Sequence, residues 1–174
     1  MPVLRYNATS LALLGTAATQ LSDGWGLASS VPPGDDVARL WATDGSSTLS
    51  SLDPVTLRTV ASVTVTDGAR PVRLLNELEV VGGAVWANIW LTDCIAMVDG
   101  LTGRVTGYLL MHGLRGSGQT QGEDVLNGIA WDGGSDRLFV TGKYWAHLYQ
   151  VTIHPLLTGG PAEHLARART ACVR

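Results

Sequence analysis

Residues 84–103 read Ala84-Val85-Trp86-Ala87-Asn88-Ile89-Trp90-Leu91-Thr92-Asp93-Cys94-Ile95-Ala96-Met97-Val98-Asp99-Gly100-Leu101-Thr102-Gly103: two short apolar runs, a polar turn between them, and an Asp-Gly turn at the end. The stretch has two counterparts. One is Arg39-Leu40-Trp41-Ala42-Thr43, followed by Thr48-Leu49-Ser50-Ser51-Leu52-Asp53-Pro54-Val55-Thr56. The other is Arg137-Leu138-Phe139-Val140-Thr141-Gly142-Lys143-Tyr144-Trp145, followed by Ala146-His147-Leu148-Tyr149-Gln150-Val151. Trp41 and Trp86 stand 45 residues apart, and Asp53 and Asp99 stand 46 apart. Trp86 and its counterpart Val140 are separated by 54, the extra length falling in a polar loop over residues 116–124. A period of roughly 40–50 residues with several strands per unit is the signature of a β-propeller.

Working outward, each unit divides into four short strands. The first full unit is expected at 25–29, 39–43, 48–53 and 57–65, the second at 75–80, 84–88, 94–99 and 104–109. The run Val60-Ala61-Ser62-Val63-Thr64-Val65 alternates as a half-buried strand must. Asp53 and Asp99, followed by Pro or Gly, stand where a third strand turns into a fourth, and read as turn formers. The third unit supplies three strands, at 128–131, 137–141 and 148–153, and the N-terminal residues hold one or two strands of an earlier unit, near 3–7 and 10–16. The expected organisation is a partial blade over 1–22, blades over 23–68 and 69–115, an incomplete blade over 116–154, and a C-terminal tail over 155–174. A short basic helix with Leu165 and Val173 is possible in that tail, but a frayed segment is expected. Trp41, Trp86 and Trp131 are expected at equivalent or near-equivalent positions, packing between blades.

Composition narrows the function. The 174 residues are 45% hydrophobic and 16% charged with a formal net charge of −3, which argues against disorder and against a phosphate-binding basic face. No stretch approaches the roughly 18 apolar residues of a membrane helix, and no signal peptide is visible. The two cysteines do not suggest a disulfide framework: Cys94, in an apolar run, reads as a small core residue, and Cys172 lies in the tail. His112, His147, His154 and His164 show no zinc-ligand spacing.

Six motifs then acquire a specific meaning. They are Asp23-Gly24-Trp25-Gly26-Leu27, Asp44-Gly45-Ser46-Ser47, Leu75-Asn76-Glu77-Leu78-Glu79, the run from Trp86 to Ile95, Leu126-Asn127-Gly128-Ile129-Ala130-Trp131-Asp132, and the run from Leu138 to Trp145. In this order and spacing, over about residues 5–153, the chain resembles the plant-type glutamine cyclotransferases. The resemblance implies an all-β, five-bladed propeller, of which this chain covers roughly three blades. It also implies a glutaminyl-peptide cyclotransferase acting on peptides or proteins with an N-terminal glutamine and using neither a metal nor another cofactor, while the composition leaves no nucleic-acid or membrane partner expected. The α-amine attacks the side-chain carboxamide, closes a lactam and expels ammonia, leaving pyroglutamate. The family is often secreted or routed through the secretory pathway, while the compartment of this chain is open.

The same resemblance suggests four substrate-binding residues. Trp25 and Trp90 would wall the pocket, Asn76 would hydrogen-bond the substrate carboxamide, and Lys143 would donate to an oxyanion or carbonyl. Lys143 is also the single lysine among 12 basic residues, a choice that guanidinium does not reproduce. Glu77 and Glu79, two apart on a strand, share one face and could act as a carboxylate pair. Hydrogen bonding to a neighbouring blade is the expected role for both, and inner-strand structure for Asn127 and Asp132. The family's Phe-Thr-Gln-Gly-Leu-like and Phe-Gly-Glu-Gly-like motifs do not occur here, so its general acid/base glutamate is expected upstream of this chain. The alternative is a catalytically inactive propeller fragment that binds peptides or partners.

Overall fold

The two apolar runs within residues 84–98 become paired strands, and the same pattern repeats on either side. The computed structural model describes residues 1–31, 36–115, 122–155 and 160–173, so most of the expected loop at 116–124 lies outside the described residues. A hairpin of β1 (Pro2–Tyr6) and β2 (Leu13–Ala18) comes first. A four-stranded antiparallel sheet follows in sequential order: β3 (Gly26–Ser30), β4 (Arg39–Thr43), β5 (Thr48–Leu52) and β6 (Thr59–Thr64). After the two-residue strands β7 (Thr66–Asp67) and β8 (Arg70–Pro71), a second sheet repeats the order with β9 (Leu75–Val81), β10 (Ala84–Ile89), β11 (Cys94–Val98) and β12 (Val105–Leu110). The third sheet has three strands, β13 (Leu126–Asp132), β14 (Arg137–Gly142) and β15 (Tyr149–Val151), and helix α1 (Pro161–Cys172) follows. Among the described residues the protein is all-β apart from this one helix.

The period of two on β10 sends side chains alternately to two cores. Val85, Ala87 and Ile89 join Trp41 and Leu49 of the first sheet in one cluster. Trp86, between them, joins Ile129, Leu138 and Val140 of the third sheet in another. The second sheet is thus buried on both faces, and β3, β9 and β13 lie side by side at the same edge of the stack. The tryptophans at 41 and 86 pack between sheets, as expected. Trp131 does not share their position: it lies on the first strand of its sheet opposite Leu138, whereas the residue registered like Trp41 and Trp86 is Phe139, one before the expected Val140.

The two turn aspartates behave as expected. Asp53 Oδ1 accepts from the backbone N–H of Val55 and Thr56 and from Thr56 Oγ1, and Asp99 Oδ1 accepts from the N–H of Leu101 and Thr102. These donors hold both carboxyls below the usual range, the Thr56 and Thr102 backbone bonds acting most strongly.

Two expectations about the C-terminus are overturned. Residues 161–172 are a helix rather than a frayed segment. Cys172 is completely buried and disulfide-bonded to Cys94, which the sequence presented as a free core residue. The helix is held a second time by Arg169, whose Nε and Nη2 donate to the two oxygens of Asp67 at 2.7 and 2.6 Å. Tyr108 donates its hydroxyl to the same carboxylate. A covalent bond and an ion pair with a buried carboxylate and a partly exposed guanidinium therefore replace the apolar stripe by which a surface helix usually docks.

Candidate functional site

The first strands begin, and the second strands end, at one rim of the stack. Trp25 sits one residue before β3, its backbone N–H donating to Thr43 O, so the expected strand start at 25 falls one residue later. Its indole packs edge-on against Trp90, with ring centroids 5.3 Å apart and planes at 87°. Trp25 Nε1 donates to Asp23 Oδ2 at 2.9 Å, which fixes the ring and lowers the Asp23 carboxyl pKa. Gly45 makes this possible: its φ is +80°, and a Cβ there would lie 2.7 Å from the Trp25 ring. Gly45 O in turn accepts from Leu74 N, and Leu74 O from Trp90 N, so one backbone relay sets both indoles.

Asn76 joins them from β9. It is buried, its carbonyl accepts from Thr43 Oγ1 at 2.7 Å, and Gly26 packs so closely that a Cβ there would overlap that carbonyl. Trp25, Asn76 and Trp90 are thus assembled at the junction of the first two sheets. Lys143 is on the same rim one sheet further on. Its backbone pairs with Asp124 and Val125 ahead of β13, and its side chain is exposed. The structure brings three candidates together and places the fourth on the adjoining edge.

Three bulky residues flank these positions in the left-handed region, Leu74 at φ +62°, Leu91 at +64° and Tyr144 at +58°. Leu91 follows Trp90, Tyr144 follows Lys143, and Leu74 lies two before Asn76. Such backbone costs roughly 1–3 kcal/mol each and persists where the surroundings over-determine it, commonly at functional sites.

The carboxylate pair faces the third sheet. Glu77 Oε2 accepts from Ile129 N at 2.9 Å, while Glu79 accepts from the N–H of Trp131. Those N–H groups lie on the edge of β13 turned away from β14, so the glutamates cap an otherwise open strand edge. Asn88, fully buried, extends the row: its Oδ1 accepts from Gly128 N at 2.9 Å. Both glutamates therefore make the expected bonds to a neighbouring sheet. Asn127, expected to be structural, has a buried Oδ1 without a hydrogen-bond partner among the described residues. Asp132 closes the β13–β14 turn through Ser135 and Arg137.

Burial, reinforced by Glu79, raises the Glu77 pKa to about 7 against the pull of the Ile129 N–H. The native state then holds a proton that the unfolded chain releases near 4.5, so this group favours folding most below that pH, and the contribution is lost as pH rises through 7. Glu77→Gln should flatten stability between pH 5 and 8, removing at most about 2–3 kcal/mol of slope, less where solvent reaches this half-buried group. Urea midpoints across that range test it; parallel curves for the two proteins would refute it.

A second cluster was not evident in the sequence. Arg115 pairs with Glu123 at 3.3 Å and lies 4.4 Å over the Trp145 ring, while Trp145 Nε1 donates to Asp124 O. The Trp145 neighbourhood was visible only as the tail of the Thr141-Gly142-Lys143 motif. Its partners come from a segment without strand periodicity.

Comparison with known proteins matches this architecture to one family. The family model described as glutamine cyclotransferase matches residues 2–153. The chain is 42% identical over 152 residues to a glutaminyl-peptide cyclotransferase of Arabidopsis thaliana, covering 85% of this chain and 45% of that one. It is also similar to the crystal structure of Myxococcus xanthus glutaminyl cyclase, at 33% identity and a TM-score of 0.72, covering 81% of this chain and 59% of that one. The chain thus spans about half the length of these relatives, and it belongs to the glutamine cyclotransferase family.

Proposed function

We propose that the chain is the larger part of a five-bladed propeller that converts N-terminal glutamine to pyroglutamate. The three sheets are read as blades over 23–68, 69–115 and 116–154, with residues 1–22 contributing part of another. The observation that carries the substrate assignment is the edge-to-face pair of Trp25 and Trp90 beside buried Asn76. Two indoles at right angles make a dry corner suited to the short, partly apolar glutamine side chain. Asn76 would bind the carboxamide through its own amide, which has both a donor and an acceptor.

Lactam formation needs the α-amine as a free base, and its nitrogen within about 3–3.5 Å of the carboxamide carbon. A tetrahedral oxyanion forms, and the leaving nitrogen takes up a proton as ammonia departs. Holding the glutamine side chain folded back on its own amine is what the aromatic corner contributes. Lys143 is the cationic donor on the rim that would meet the oxyanion, the kind of interaction that strengthens as charge develops. Peptides and proteins with N-terminal glutamine are the partners this reading implies.

A glutamine-initiated peptide incubated with the protein should lose one ammonia from its mass. Trp90→Ala should weaken binding of that peptide about tenfold, roughly 1.4 kcal/mol, by titration calorimetry. Binding without ammonia release would favour a peptide-binding module, and no binding would remove the pocket assignment.

A further inference from the structure

Beside the tryptophan corner a cleft of about 540 Å³ opens between the second and third sheets. Its size is within the roughly 300–1,000 Å³ of ligand clefts. One wall is the turn Leu91-Thr92-Asp93, which starts at the residue after Trp90; the other is Glu123-Asp124-Val125, ahead of β13. Cys94, Leu110 and Ala171 give it an apolar floor that ends at helix α1. Its charges are unequal. Arg115 is matched by Glu123 at 3.3 Å, and the Glu123 carboxylate also accepts from Ala146 N. Asp93 has only exposed His112, 3.7 Å away, and the Asp124 carboxylate is exposed, with no ion pair among the described residues.

We propose that this cleft binds the peptide segment following the N-terminal glutamine, and that Asp93 and Asp124 make it prefer Lys or Arg there. The inference rests on Trp25, Asn76 and Trp90 being the glutamine pocket. The cleft begins where that pocket ends, on the backbone that carries Trp90. An extended chain advances about 3.3 Å per residue with successive side chains on opposite sides. A peptide anchored by its first residue therefore brings the next few past both aspartates while its backbone crosses the apolar floor. Rim carboxylates of this kind act on cationic side chains at short range and are screened by salt. That the floor includes Ala171 gives helix α1, outside the span matched by the family model, a place in substrate selection.

The test uses three peptides that differ only after the glutamine, with two lysines, two alanines or two glutamates, titrated against the full chain at low salt. Two exposed aspartates should separate the lysine from the glutamate peptide by roughly tenfold in Kd. Asp93→Asn with Asp124→Asn should collapse that ratio toward unity, and 0.5 M salt should do the same to the wild type. Glu163→Gln, which removes a carboxylate that does not line the cleft, should leave the ratio intact. Equal affinity for the three peptides, or a preference that survives the double substitution, overturns the cleft assignment and leaves the glutamine pocket standing. Failure of every glutamine peptide to bind overturns both.

Discussion

Cys94→Ala combined with Cys172→Ala is expected to cost about 4–5 kcal/mol. The bond closes a loop with a sequence separation of 78. On the chain-entropy account, a cross-link over that length removes about 4.5 kcal/mol of conformational freedom from the unfolded state. Alanine is preferred to serine because both sites are buried, and a hydroxyl there would add the cost of an unsatisfied polar group. Helix α1 should then detach more readily than the sheets unfold. Its other main anchor is the Asp67–Arg169 pair, and Arg169 is partly exposed, which limits what that pair contributes. Urea denaturation gives the total, and hydrogen exchange on 161–172 gives the local part. A loss under 1 kcal/mol with the helix amides still protected would show that noncovalent contacts alone hold the helix. Since such a bond forms and persists in oxidising surroundings, protein refolded with excess dithiol should reproduce the double variant.

That helix also marks the limit of what the sequence discloses. The strands of the two four-stranded sheets were legible because short apolar runs recur with a common period, because Val60–Val65 alternates, and because Asp53 and Asp99 punctuate them at nearly equal spacing. The C-terminal segment carries no such pattern. Its buried residues are Ala168 and Cys172, too small to draw an apolar stripe, and what fixes it is a partner 78 residues away. Cys94 was rightly placed in the core by its neighbours, but a buried thiol and a buried half-cystine look alike within a strand. The candidate site shows the same division. Trp25, Asn76 and Trp90 were legible as motifs, whereas their convergence depends on Gly26 and Gly45, whose missing side chains let β3 and the indole come close. The shared face of Glu77 and Glu79 follows from a period of two. The elevated pKa of Glu77 does not, because burial against the third sheet is a tertiary fact.

Trp86→Ala should cost about 3–5 kcal/mol, with its damage concentrated in the third sheet. Trp86 is 6% exposed and supplies the largest apolar side chain that the second sheet turns toward Ile129, Leu138 and Val140. The third sheet has three strands; Ile95 and Leu109 of the second sheet share its core, and its polar ties are the short row of bonds from Glu77, Glu79 and Asn88 to the edge of β13. Those polar bonds orient the strand, but they contribute only about 1 kcal/mol each, and they weaken once a cavity admits water beside them. Trp41→Ala is the matched control. It has similar burial but faces the other core, rests on Gly100, and also strips Ser30 Oγ of the indole N–H at 2.8 Å. Its damage should appear between the first two sheets, beneath Trp25 and Asn76. Hydrogen exchange separates the outcomes: Trp86→Ala should lower protection first over 126–151, and Trp41→Ala first over 26–64. If both variants lose protection evenly along the chain, the stack unfolds as a single cooperative unit. The interfaces then carry no separable stability, and the rim that holds Lys143 cannot loosen independently of the tryptophan corner.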